Sequence, residues 1–153
     1  MTTSFKFEAV DEADFEALLA LRVTTMRTSL EALGRFDAAR ARERFRSTFR
    51  PQHTRRIVVN DAAAGCVATW PEAGMIRLEH FYIDAPHQGR GLGSAVVEAL
   101  LCEAAHTGKP FIVGALRGST ANRFYLRHGF VQHAESEWDI EYVRPASTPE
   151  ERP

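Results

Sequence analysis

Cysteine is scarce in this chain. Its 153 residues hold two, Cys66 and Cys102, far apart and in no C-x-x-C pair. That excludes a disulfide scaffold and a thiolate metal site. The expectation is two reduced, buried small hydrophobes in a cytoplasmic protein, with no bound metal. Long apolar runs are missing too. Nothing approaches the length of a bilayer span, and residues 1–15 have no signal-peptide core, so no membrane partner is expected. Charge of one sign is absent from the total: the net charge is −1, which gives no electrostatic reason to expect nucleic acid or an anionic membrane. Repeats and linkers are lacking between residues 5 and 144. The expectation is one domain over 1–144 and a frayed tail over 145–153, where three prolines stand without a core residue.

What is present is a core and an uneven distribution of charge. Hydrophobic residues make up 44% of the chain, enough for a sizeable interior. From Arg22 to Arg56 there are ten arginines against Glu31, Asp37 and Glu43, whereas Glu135–Glu141 holds four acids and no base.

Periodicity gives the elements. Residues 5–10 read as a strand. Asp11 is placed to cap a helix, with Asp14 in the capping-box position, and Phe15, Leu18, Leu19, Val23 and Met26 share a helical face. Gly34 closes that unit. Asp37 caps a second helix whose thinner apolar stripe is Ala38, Ala41, Phe45 and Phe49. Strands follow at 54–60 and 65–70, joined by a turn over Asp61–Gly65. A Pro71–Gly74 turn leads to a long strand, Met75–Asp84. A helix over 91–106 buries Leu92, Ala95, Val96, Ala99 and Leu100. Phe111–Leu116 is a short apolar strand, 119–128 a short helix, and 130–134 with 137–143 a final hairpin. The order β-α-α-β-β-β-α-β-α-β-β implies an α/β fold with a mixed sheet of about seven strands and helices on both faces.

The chemistry concentrates at Gln88-Gly89-Arg90-Gly91-Leu92-Gly93, directly after a strand and opening a helix. Glycine lets the backbone turn sharply and approach a ligand, and a helix N-terminus favours an anion. A pyrophosphate is the natural guest, with Arg90 at the rim. A Walker loop would need a G-K-[ST] end, which is absent. A dinucleotide fingerprint would need a third glycine or alanine where Ser94 or Val96 stands.

The remaining pattern, Q-x-x-G-x-G, resembles the pyrophosphate loop of the GNAT superfamily of acyl-CoA-dependent N-acetyltransferases. Asn122-Arg123-Phe124-Tyr125-Leu126-Arg127-His128-Gly129-Phe130 resembles the family's second signature. Leu78–Pro86 resembles the strand that precedes the loop. The resemblance covers residues 57–143 by motif and the first 50 by element order. It implies a single-domain GNAT-like fold whose sheet splays between strands 75–84 and 111–116, with the pantetheine arm of acetyl-CoA in the gap. It implies cofactor contacts from the amides of Phe81 and Ile83, from Gln88, Gly89, Arg90, Gly91, Leu92, Gly93 and Ser94, and from Tyr125. The family's usual asparagine before this tyrosine is missing. Gly118-Ser119 stand near its place, so Asn122 or Ser119 is a substitute contact.

The roles implied are those of direct acyl transfer in a ternary complex. Tyr125 is the general acid for the leaving thiolate. Glu79 is the first choice of base, at a position where related polyamine acetyltransferases carry an acid. His80 or a water is the alternative, since alternation puts Glu79, Phe81 and Ile83 on one face and His80 and Tyr82 on the other. Arg22 breaks a local rule by standing in the apolar stripe of the first helix. Either an internal acid such as Glu31 or one from 135–141 meets it, or a carboxylate of the acceptor does, with Arg27 one turn on. The expected function is N-acetylation of a primary amine on a small molecule. A protein acetyltransferase and a non-catalytic acyl-CoA sensor stay open, as does a homodimer.

Overall fold

The first element is anchored by its cap. In the computed structural model, which describes residues 4–146, strand β1 (Lys6–Ala9) is followed at Asp11 by a reciprocal capping box. The Asp11 carboxylate accepts from the Ala13 amide at 2.9 Å, and the Asp14 carboxylate accepts from the Asp11 amide at 2.9 Å. One 3₁₀ turn later the chain enters α1 (Phe15–Ala32). The Asp37 side chain accepts from the Arg40 amide at 3.0 Å and starts α2 (Ala38–Thr48). Caps of this kind stabilise a helix by about 1 kcal/mol each.

The strands are β2 (Thr54–Val59), β3 (Ala62–Glu72), β4 (Met75–Ile83), β5 (Phe111–Leu116), β6 (Val131–Glu135) and β7 (Asp139–Arg144), with α3 (Leu92–Ala104) and α4 (Ala121–Arg127) between them. The seven-stranded sheet has the order β1-β2-β3-β4-β5-β7-β6. It is mixed: β4 and β5 are parallel, and β1–β2, β2–β3, β5–β7 and β6–β7 are antiparallel. The parallel ladder covers only Ile76–Leu78 against Phe111–Val113, while β5 pairs with β7 along its whole length.

Two turns differ from the sequence expectation. The β2–β3 connection is not Asp61–Gly65 but the pair Asn60-Asp61, with φ of 50° and 64°. The next turn is Ala73-Gly74, with φ of 50° and 80°, and Pro71 lies inside β3. Positive φ at both central residues is the mirror-image turn that matches the twist of the flanking strands. Pro71 is tolerated because pairing with β2 ends at Ala68, so no β2 acceptor is left waiting for its missing N–H.

The domain divides into two compact units, one running to Ala68 and including His80–Gly93, the other of Thr69–Glu79 and the chain from Ser94. The core of the first contains Val10, Phe15, Leu18, Leu19, Phe45, Phe49 and Cys66. Phe15, Phe45 and Phe49 pack ring against ring at centroid distances of 5.3–5.7 Å. Truncating a ring as buried as Phe45 costs about 3–5 kcal/mol. Exposed arginines of α2 clip it to α1 and to the 3₁₀ turn before it: Arg42 bonds Glu16 at 2.9 and 2.5 Å, and Arg46 bonds Glu12 with its guanidinium 3.6 Å above the Phe15 ring. In the second unit, α3 buries Val96, Val97 and Leu100, and Phe111, Ile112 and Val113 of β5 are also buried. Cys66 is buried as expected, but Cys102 is exposed. It stands two residues past Leu100, off the apolar stripe of α3, where the helical period turns side chains outward.

Candidate active site

The glycine loop occupies residues 88–91, between a 3₁₀ turn at Ala85–His87 and the first residue of α3, Leu92. Gly89 and Gly91 have φ of +74° and +81°. A Cβ at either would meet nothing within 4 Å. Packing therefore does not explain these glycines; their left-handed backbone does, since an L side chain there is strained. Gln88, Gly89, Arg90 and Gly91 are exposed, while Leu92 is buried and pins the start of α3. The side chain of Gln88 folds back and donates to the Ile83 carbonyl at 2.8 Å, bracing the loop at its entry. An exposed backbone curl running into a helix N-terminus suits a pyrophosphate, because the first helical amides have no intrahelical acceptor.

β4 carries the next group of candidates, and its middle is irregular. His80 has a φ of +48°, so a period of two cannot be carried through it. The assignment of Glu79, Phe81 and Ile83 to one face therefore fails at His80. Next to it, β3 approaches β4 very closely. A Cβ on Gly65 would stand 2.2 Å from the Tyr82 carbonyl oxygen, and the Cys66 thiol donates to the His80 carbonyl at 3.2 Å.

His80 is buried, at 5% exposure. The Thr48 hydroxyl donates to the Arg44 carbonyl at 3.0 Å. Its oxygen thus accepts from His80 Nε2–H at 2.8 Å, and Nδ1 is left to accept the Tyr82 hydroxyl proton at 3.2 Å. Burial, and then the nearby charge of Arg22, pull the imidazole down to about 4 from its usual 6.5, against a small opposing effect of a Thr48 backbone bond. His80 is thus neutral, with both ring nitrogens engaged.

Tyr125 is buried on α4 among Phe124, Phe130 and Tyr142, at centroid distances of 5.2–6.2 Å. Burial, and secondarily the charge of Glu79, push its phenol well above the usual tyrosine value. The two residues expected to carry catalysis are therefore within electrostatic reach of each other. Asn122 is fully occupied. Its amide donates to the Leu116 carbonyl at 3.0 Å and the Ser119 carbonyl at 2.9 Å, and its oxygen accepts from Tyr142 at 2.7 Å. Ser94, in the first turn of α3, bonds His128 Nε2 at 2.9 Å. Nothing in the sequence pattern flags that partner, because the two are far apart in the chain.

Of the residues expected to meet the acceptor, Arg22 lies near enough to His80 for its charge to act on the imidazole, and Arg27 is engaged elsewhere. Arg27 is exposed, 3.3 Å from Glu31 and 4.4 Å above the Phe36 ring.

The comparisons with known proteins agree with the loop. Residues 52–132, more than half of the chain, match the acetyltransferase (GNAT) domain. A search of curated proteins finds no match. Several solved structures share the fold. The PaiA N-acetyltransferase of Thermoplasma acidophilum, in complex with coenzyme A, superposes with a TM-score of 0.74 at 11% identity, covering 94% of this chain and 99% of that one. The ribosomal-protein-S18-alanine N-acetyltransferase of Escherichia coli gives 0.70 at 17%, covering 97% of each. The N-acetylglutamate synthase of Neisseria gonorrhoeae, complexed with coenzyme A and N-acetyl-glutamate, gives 0.67 at 14%, over 97% of this chain and 36% of that one. Acetyl-CoA as co-substrate fits this family. No helix among the described residues is long and apolar enough to cross a membrane. With its central 81 residues matched to that domain, the chain belongs to the GNAT acetyltransferases.

Proposed function

We propose that this protein moves the acetyl group of acetyl-CoA to a primary amine of a small molecule, by direct attack in a ternary complex. The observation that carries the reading is the exposed loop with left-handed Gly89 and Gly91 leading into α3. Its amides, from Gln88 through Ser94, hold the pyrophosphate with Arg90 beside them. The backbone amides of Phe81 and Ile83 hold the pantetheine and the thioester carbonyl, where an N–H donor stabilises the oxyanion as it forms. The amine nitrogen forms the new C–N bond and the C–S bond breaks. The amine proton passes to Glu79, directly or through a water, and the Tyr125 hydroxyl returns a proton to the sulfur. Two features support the division of labour. Tyr125 is held protonated far above neutral pH, so it can serve as a donor. His80 has no free lone pair to act as base.

The cysteines argue for direct attack rather than an acyl-enzyme. Burial pushes the Cys66 thiol up to about 12, which removes it as a nucleophile at neutral pH. Two of these fold relatives act on different kinds of acceptor, a ribosomal-protein alanine in one and glutamate in the N-acetylglutamate synthase, so the fold does not choose between them. Arg22 and His80, both buried, with Thr48 and Tyr82 bonded to the imidazole, suit a small acceptor better than a protein surface.

The test is thiol release across a panel of amines, with Tyr125→Phe beside the natural protein. The variant is expected to lose roughly 10–10³-fold in kcat with KM for acetyl-CoA nearly unchanged. An unchanged kcat removes Tyr125 from proton transfer.

A further inference from the structure

Among the described residues Arg22 is a buried charge without an ion pair. It stands in the apolar stripe of α1 beside Leu18 and Leu19, with 9% of its surface exposed. Its Nε is fully buried and has no hydrogen-bond partner among the described residues. Such an N–H withheld from water is a standing penalty, and a guanidinium in a core stripe contradicts the pattern around it. None of the internal acids that the sequence offers, Glu31 or those of 135–141, pairs with Arg22 among the described residues, and three of them are engaged elsewhere. Glu31 pairs with Arg27 at 3.3 Å, Glu135 with Arg117 at 3.4 Å, and Glu141 lies 3.9 Å from Arg77.

The group beside Arg22 supplies no anion. Tyr82, His80, Thr48 and the Arg44 carbonyl form one chain of hydrogen bonds in which every member is neutral and each lone pair described above is used within the chain. His80 packs edge-on against Phe45 at 4.8 Å. A single guanidinium in a neutral setting fits one negative charge, and a planar one best, because two N–H groups can meet two oxygens in parallel. A phosphate dianion would call for a second cation, and Arg27 is committed to Glu31 and Phe36. A polyamine would bring further positive charge against Arg22.

We infer that Arg22 receives the carboxylate of the acceptor, so that the amine acetylated is that of a free amino acid or a similar amino carboxylate. This rests on the acetyltransferase reading above. It names the missing anion and narrows the acceptor from amines in general to zwitterions. A residue at a protein N-terminus, whose α-carboxyl is bound in a peptide, lacks the group that Arg22 seats.

The experiment uses the full chain and acetyl-CoA. Thiol release is measured on the free amino acids, each beside its carboxamide, and on spermidine, tyramine and a short peptide. At least one amino acid is expected to exceed its carboxamide by roughly 10²-fold in kcat/KM, the size of a lost charged hydrogen-bond pair. Arg22→Met should raise KM for that amino acid by a similar factor, bring its preference over the carboxamide down to within a few-fold, and leave the melting temperature equal or higher. Arg22→Lys should recover part of the loss. Turnover confined to amines without a carboxylate, or to the peptide, overturns the inference while the acetyltransferase reading stands. So does an Arg22→Met protein that melts several degrees lower with unchanged amino-acid KM. Calorimetric binding of the amino acids keeps the two readings apart. Arg22-dependent binding without thiol release supports the carboxylate seat and refutes catalysis; neither binding nor release refutes both.

Discussion

Replacing Gly91 separates what the loop's shape contributes from what its charge preference contributes. Gly91 has a φ of +81°, and a side chain there would meet nothing within 4 Å. Alanine therefore adds backbone strain and no clash, about 1–2 kcal/mol. In a chain of this length that is a fall in Tm of roughly 2–8 °C. Glutamate adds the same strain and a negative charge at the place assigned to the pyrophosphate. At about 5 Å, with an effective dielectric constant between about 20 and 80, each phosphate charge is repelled by about 1–3 kcal/mol. That is roughly 4- to 10²-fold in Kd for each charge. Calorimetry with acetyl-CoA on the natural protein, Gly91→Ala and Gly91→Glu, with melting curves for all three, gives the comparison. The two variants should melt within a few degrees of each other, and the glutamate variant should bind far more weakly. A glutamate variant that binds acetyl-CoA as tightly as the alanine variant would falsify the assignment of this loop to the pyrophosphate.

Two further outcomes follow from buried groups. His80 is held neutral in the folded chain, at about 4 against an ordinary 6.5. Stability is complete above about pH 6.5 and falls as the pH drops toward 4, because the unfolded chain takes up a proton that the folded one refuses; the loss approaches roughly 3 kcal/mol. His80→Asn, which tolerates positive φ, should flatten that part of the Tm–pH curve, and a wild-type curve already flat from pH 4 to 6.5 would count against the wiring described. An aromatic disulfide reagent should find one fast thiol, exposed Cys102, with Cys66 reacting only on unfolding; Cys102→Ser should turn over normally, and its inactivation would reinstate an acyl-enzyme.

The fold was legible wherever a side chain announces its own backbone state. Asp11 with Asp14, and Asp37, mark helix starts because carboxylates at those spacings satisfy free amides. Phe111–Leu116 reads as a strand because it is apolar without interruption. The reading failed where the backbone departs from what the residue type suggests. Ala73 takes a φ of 50° although alanine is no turn former, and Pro71 looks like a turn yet stands in β3. His80 adopts a left-handed conformation that nothing in its neighbours signals, so alternation along β4 was carried one residue too far. At the candidate site, the glycines and the misplaced Arg22 could be found because each breaks a local rule. The bonds that occupy His80 and Asn122 join residues distant in sequence and leave no local trace.

The ion pairs of Arg42, Arg46 and Arg56 also bear on how fast a co-substrate is captured. Ten arginines between Arg22 and Arg56 suggest a strongly attracting surface. Arg42, Arg46 and Arg56, however, face Glu16, Glu12 and Asp14 at contact distance, and the whole chain carries −1. At a distance such pairs act as small dipoles whose fields fade within a Debye length of about 8 Å in physiological salt. Diffusing acetyl-CoA, itself polyanionic, therefore meets little long-range guidance. Encounter should proceed near the unsteered range of about 10⁵–10⁷ M⁻¹s⁻¹ and respond weakly to ionic strength, with recognition beginning only at the glycine loop itself.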